Sequence, residues 1–169
     1  QNALDLEISG LLKSANKKIA QLGINLETEA GQNEILLLFR KLHDKSARLP
    51  VAYRPMYVEL KAILKAEEKL MAAFDPVLAK QFMAHPDYFP RAWAFLGKQL
   101  DTIKGITGLG QTPGFKRPRN GATFDEMIAL DFTPSSWNPY VMVAQRLMDG
   151  EIYRNSIMLQ RSLESKGLT

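Results

Sequence analysis

Apolar residues along this chain recur at steps of three and four, and the brief apolar-polar alternations, as at 4–8 and 58–62, fall inside that longer pattern. The segments able to bury a face are therefore helices, and the pattern offers nothing from which to build a sheet. The first stripe runs Leu4, Ile8, Leu11, Ala15, Ile19 and Leu22, with Lys13, Lys17 and Lys18 lying off it and Gly23 as its stop. Asn25 or Thr28 is placed to cap a second helix reaching about Arg48, where Pro50 prevents simple continuation. Its run Ile35-Leu36-Leu37-Leu38-Phe39 covers nearly the whole circumference, which predicts a central helix buried on several sides. A third helix opens with Pro55 in its first turn and carries Met56, Leu60, Ile63, Leu70 and Phe74 on one face as far as Asp75-Pro76. Three rods of similar length predict antiparallel neighbours in a bundle.

Beyond Pro76 the elements shorten. A helix through Val77, Leu78, Phe82 and Met83 stops before Pro86, and another from about Tyr88 to Gly105 carries Trp93, Leu96, Leu100 and Ile103. Residues 105–122 hold five glycines and two prolines with no period, and read as a long loop. Thr123 and Glu126 match a capping box ahead of a short helix to Leu130, and Pro134 keeps that helix from extending further. Asn138-Pro139 provides a cap and a first-turn proline, after which helices through Leu147 and from Glu151 to Lys166 end at Gly150 and Gly167. The expected architecture is all-α: one domain over residues 1–169, a bundle of about seven helices with a basic Gly/Pro-rich loop near 105–122.

A chain of 169 residues with 46% apolar and 24% charged residues has the composition of an ordinary globular domain. It contains no apolar run long enough to span a bilayer and opens with Asp5 and Glu7 rather than a basic region feeding an apolar one, so no intact signal peptide is expected. Gln1-Asn2-Ala3 reads as a remnant of processing or of cloning, with a periplasmic or secreted location after signal cleavage as the alternative to the cytoplasm. Zero cysteines remove disulfides, thiolate catalysis and sulfur-based zinc sites, and fit a reducing compartment such as the cytoplasm.

The net charge of +4 is unevenly spread, with 7 basic against 3 acidic residues between 71 and 120. The densest run, Lys116-Arg117-Pro118-Arg119, has no acid between Asp101 and Asp125 and comes directly after Phe115, so the loop combines positive charge for phosphates or carboxylates with a ring able to stack. Helical ridges add Lys13 with Lys17, Lys41 with Lys45 and Arg48, and Lys61 with Lys65 and Lys69.

Other chemistries lack their residues. His43 and His85 are the only histidines, far apart and without a carboxylate at a helical pairing offset, so neither a metal nor a cofactor is expected. There is no Gly-x-Ser-x-Gly, and Glu67-Glu68 and Asp125-Glu126 read as helix-surface and first-turn charges, so no catalytic residue is assigned. Gly105, Gly108 and Gly110 have the glycine density of a phosphate-cradling loop, but no strand precedes them and no Gly-Lys-Ser/Thr comes after. Met56, Met71 and Met158 are expected to fill gaps in the core, as is the aromatic cluster Tyr88, Phe89, Trp93 and Phe95. These features together point to a non-catalytic binding or accessory module whose acidic partner is a nucleic-acid assembly or another protein, contacted through Phe115, Lys116, Arg117, Arg119, Lys61 and Lys65. The alternatives are a small helical enzyme with residues 105–122 as a lid, and a structural subunit of an oligomer.

Overall fold

A computed structural model describes residues 2–43, 47–77, 80, 93–94, 128, 133–134 and 136–168. These residues form four α-helices: α1 (Asn2–Ala20), α2 (Glu29–His43), α3 (Arg54–Phe74) and α4 (Pro139–Ser165), with a 3-10 turn at Val51–Tyr53 leading into α3. The described fold is helical, and its one extended feature is a two-residue antiparallel pairing of Trp93–Ala94 with Thr133–Pro134. Trp93 and Ala94 therefore depart from the helix expected across them. The shorter elements anticipated between 78 and 130, and the loop at 105–122, lie outside the described residues, so a total of seven helices is not reached among them.

Local chemistry accounts for where the helices begin and end. At the end of α1 the backbone tightens, with Leu22 N–H donating to Ile19 and Gly23 N–H to Ala20, and Gly23 adopts φ +73°, a conformation that suits glycine. Thr28 caps α2, its hydroxyl accepting from Gly31 N–H at 3.1 Å, while Asn25 closes an Asx turn onto Glu27 N–H at 3.0 Å. The helix is described as far as His43, residues 44–46 lie outside the described residues, and Ala47 and Arg48 are no longer helical. Asn138 caps α4 by accepting from Tyr140 N–H at 3.0 Å ahead of Pro139. At its far end Leu168 N–H donates to Leu163 C=O and Gly167 N–H to Glu164 C=O, the paired bonds of a Schellman motif with Gly167 at φ +67°.

The core gathers Ile8, Leu11, Ala15 and Ile19 of α1, Ile35, Leu38, Phe39 and Leu42 of α2, Leu60 and Leu64 of α3, and Val143, Ala144 and Leu147 of α4. The apolar run of α2 is buried on one side, through Ile35, Leu36, Leu38, Phe39 and Leu42, while Asn33, Glu34 and Arg40 face solvent, so α2 is not the central helix expected of it; that place belongs to α4, which packs on both α1 and α3.

One expectation about helix geometry is corrected. The stretch expected as two helices on either side of Gly150 is one unbroken helix of 27 residues that runs through Gly150. α3 and α4 point the same way: Glu59 meets Tyr140, Glu67 meets Arg146 and Arg154, and Asp75 meets Tyr153. Parallel neighbours cannot be joined by a short turn, and residues 75–138 supply the crossover. α1 packs on α4 in the opposite sense, its late residues Asn16 and Lys18 lying against Asn138 and Tyr140 at the start of α4.

Candidate functional site

The buried side of α3 is Met56, Leu60, Leu64, Glu67 and Met71. The stripe therefore runs through a glutamate, at spacings of three and four, and Leu70 is turned outward at 47% exposure. Glu67 is only 2% exposed, which corrects its reading as a surface charge. A carboxylate at that depth is costly to desolvate unless it is paired. Two arginines of α4 pair it: Arg154 Nη1 donates to Oε1 at 2.5 Å, and Arg146 Nη1 donates to the same oxygen at 3.3 Å. Both arginines are buried as well.

Positions 146, 150 and 154 stand one above another on α4, so the carboxylate enters between the arginines at Gly150. A Cβ there would overlap Glu67 Oε1 and lie 2.8 Å from Arg146 Nη1. That close approach is why a glycine occupies mid-helix, and why it does not mark a stop. The contacts stay polar toward the C-terminal end of α3, where Tyr153 donates to the Asp75 carboxylate at 2.7 Å and Arg161 to the Phe74 carbonyl at 3.3 Å. Half-buried Glu68 has its carboxyl pushed above the usual range by burial, an effect that the positive charges of Lys61, Arg146 and Lys65 partly offset.

At the other end of α3, Lys18 and Glu59 form an ion pair, and Lys18 Nζ sits 4.6 Å from the centre of the Tyr140 ring. Burial, with Glu59 accepting from its hydroxyl, drives the Tyr140 phenol upward. These groups join α1, α3 and α4 around the buried Tyr140, and their mutual pairing identifies them as structural.

Of the anion-binding residues expected from sequence, Lys61 is partly buried, and its ammonium donates to the Leu42 carbonyl at 3.0 Å near the C-terminus of α2. It is thereby engaged in the helix-end contact that favours cations. Lys65, one turn on, is exposed. The ridge of Lys61, Lys65 and Lys69 thus divides, with Lys61 turned to the protein and Lys65 and Lys69 to solvent. Phe115, Lys116, Arg117 and Arg119 lie outside the described residues, as does His85. Met56 and Met71 are buried as expected, whereas Met158 is 55% exposed.

The side of α3 opposite its buried stripe carries Arg54, Val58, Ala62, Lys65, Lys69 and Ala73, all exposed and none acidic. Sequence spacing isolates the lysines without this setting; counting 100° per residue away from Leu60 and Leu64 recovers the face. Among the described residues no group of three or more histidine or carboxylate side chains is arranged to hold a metal ion, and no helix is long and apolar enough to cross a membrane. No protein-family model, curated protein or solved structure matches the chain.

Proposed function

We propose that this chain is a non-catalytic helical binding or accessory module that engages an acidic partner. The observation that carries the reading is the outward face of α3, where Arg54, Lys65 and Lys69 stand exposed with no acid beside them on the same face. Like charges one turn apart disfavour each other by about 0.2–0.5 kcal/mol per pair, and a partner bringing negative charge relieves that repulsion. The run Lys116, Arg117 and Arg119 beside Phe115 adds a second concentration of positive charge in the sequence.

The reading is tested by titrating the full chain with single-stranded and duplex oligonucleotides and with an acidic polypeptide such as polyglutamate, each at two salt concentrations. Binding that weakens as salt rises supports it, because contacts to a polyanion release counterions. A chain that binds none of these probes at low salt is not such a module. Changing Lys116, Arg117 and Arg119 together to alanine should weaken binding and flatten its salt dependence while leaving stability within about 0.5 kcal/mol, as at surface positions.

A further inference from the structure

We infer that the outward face of α3 is a docking surface for an acidic amphipathic helix of a partner protein, an inference that rests on the binding-module reading and names the surface and the partner class. From Arg54 to Lys69 the face runs about 22 Å at 1.5 Å per residue. Its cations cluster toward the ends, with Arg54 at one and the Lys65-Lys69 pair at the other, and Val58 and Ala62 lie between them at full helical register. Val58 is 64% exposed, so it contributes nothing to the core of this chain. Lys65 and Lys69 make no ion pair among the described residues, and Glu68, whose carboxyl feels the charge of Lys65, lies half-buried to one side.

The spacing of charge and apolar surface chooses among occupants. A nucleic-acid backbone rewards closely spaced cations. An exposed valine and alanine between sparse cations instead suit a surface that brings its own apolar stripe. A helix does so at the same repeat: carboxylates one turn apart meet Lys65 and Lys69, apolar residues meet Val58, and the small Ala62 lets the two axes approach to the short end of the usual 8–10 Å. A second copy presenting this same face is disfavoured, because it would set Arg54, Lys65 and Lys69 against like charges.

The test uses the full chain and a fluorescent synthetic peptide, helical in solution, with leucine and alanine on one side and glutamates flanking them, read by anisotropy. The wild type should bind it, and Lys65→Glu with Lys69→Glu should weaken binding by about tenfold or more without changing the melting curve, since like charges now face each other. A matched basic peptide should in turn bind the double variant better than the wild type. In the wild type, acetylation of Lys65 and Lys69 should slow when the acidic peptide is present, while that of exposed Lys13 and Lys17 on α1 does not, a measurement that needs no variant to fold. The inference is overturned if charge reversal leaves peptide affinity unchanged, if Lys65 and Lys69 are not protected, or if an oligonucleotide binds more tightly and displaces the peptide. Binding that survives the double reversal but is lost on changing Lys116, Arg117 and Arg119 moves the site elsewhere and leaves the binding-module reading standing; a wild type that binds neither peptide nor oligonucleotide removes both.

Discussion

Replacing Gly150 by alanine and Gly10 by alanine should shift stability in opposite directions, although both glycines lie inside long helices. In a solvated helix interior the change to alanine gains about 0.8–1 kcal/mol through backbone entropy and helix propensity. Gly10 is exposed on α1, and a Cβ there meets nothing within 4 Å, so Gly10→Ala should realise most of that gain. At Gly150 the new methyl overlaps Glu67 Oε1 and crowds Arg146 Nη1. The carboxylate is the movable partner, but moving it gives up the bonds from Arg154 and Arg146 and leaves the Glu67 carboxylate buried without them. Breaking a buried pair in this way costs about 3–5 kcal/mol, which exceeds the propensity gain, so Gly150→Ala should lose about 2–4 kcal/mol. Urea unfolding monitored by circular dichroism at about 222 nm reads both changes as shifts of the midpoint at constant slope. A Gly150→Ala variant as stable as the wild type, or more so, would show that the carboxylate does not need the room between Arg146 and Arg154.

Burial and capping give three further expected outcomes. Leu38→Ala and Leu60→Ala remove side chains that are at most 1% exposed, and each should cost about 2–5 kcal/mol by denaturant titration; a loss under about 0.5 kcal/mol would contradict their placement in the core. Asn138→Ala takes away the acceptor for Tyr140 N–H and should cost about 0.5–2 kcal/mol, whereas Asn138→Asp should restore most of it. Glu68 holds its proton to higher pH in the folded chain than its ordinary value of 4.5, so the native state binds more protons there and its contribution to stability falls as pH rises above 4.5. Glu68→Gln should therefore gain on the wild type between about pH 4.5 and 7, and unfolding curves whose difference stays flat across that interval would rule out burial as the dominant influence on this carboxyl.

Apolar spacing, caps and helix stops are legible because each rests on neighbours in sequence. The α1 stripe, the buried side of α2, the Thr28 and Asn138 caps and the turns at Gly23 and Gly167 all arise from residues within one or two turns. The features that escape depend on partners far along the chain. Glu67 looks like solvent-facing charge until two arginines about eighty residues later are placed over it, and Leu70 then stands in its stead on the apolar stripe. Gly150 looks like a helix stop until the same carboxylate is seen to need its space. The outward face of α3 is half legible: Lys61, Lys65 and Lys69 form a sequence ridge, but only the contact of Lys61 with Leu42 C=O separates the one that caps α2 from the two that face solvent.

The charges that are hardest to read also explain how α3 and α4 are aligned. Apolar attraction is non-directional, so Leu60 and Leu64 packed near Val143, Ala144 and Leu147 would lose little if α4 slid along α3 by one turn, about 5.4 Å. That slide brings Arg146 or Arg154 to the level of Glu67, where its stem fills the room the carboxylate occupies beside Gly150, and it carries the other arginine out of reach. Only the observed register places a residue without a Cβ opposite Glu67 and a guanidinium one turn to each side. A buried ion cluster adds little net stability, because desolvation offsets most of its attraction. Its effect here lies in making the wrong alignments unfavourable. That selection matters most for a parallel pair, whose register no tight turn between the two helices can set.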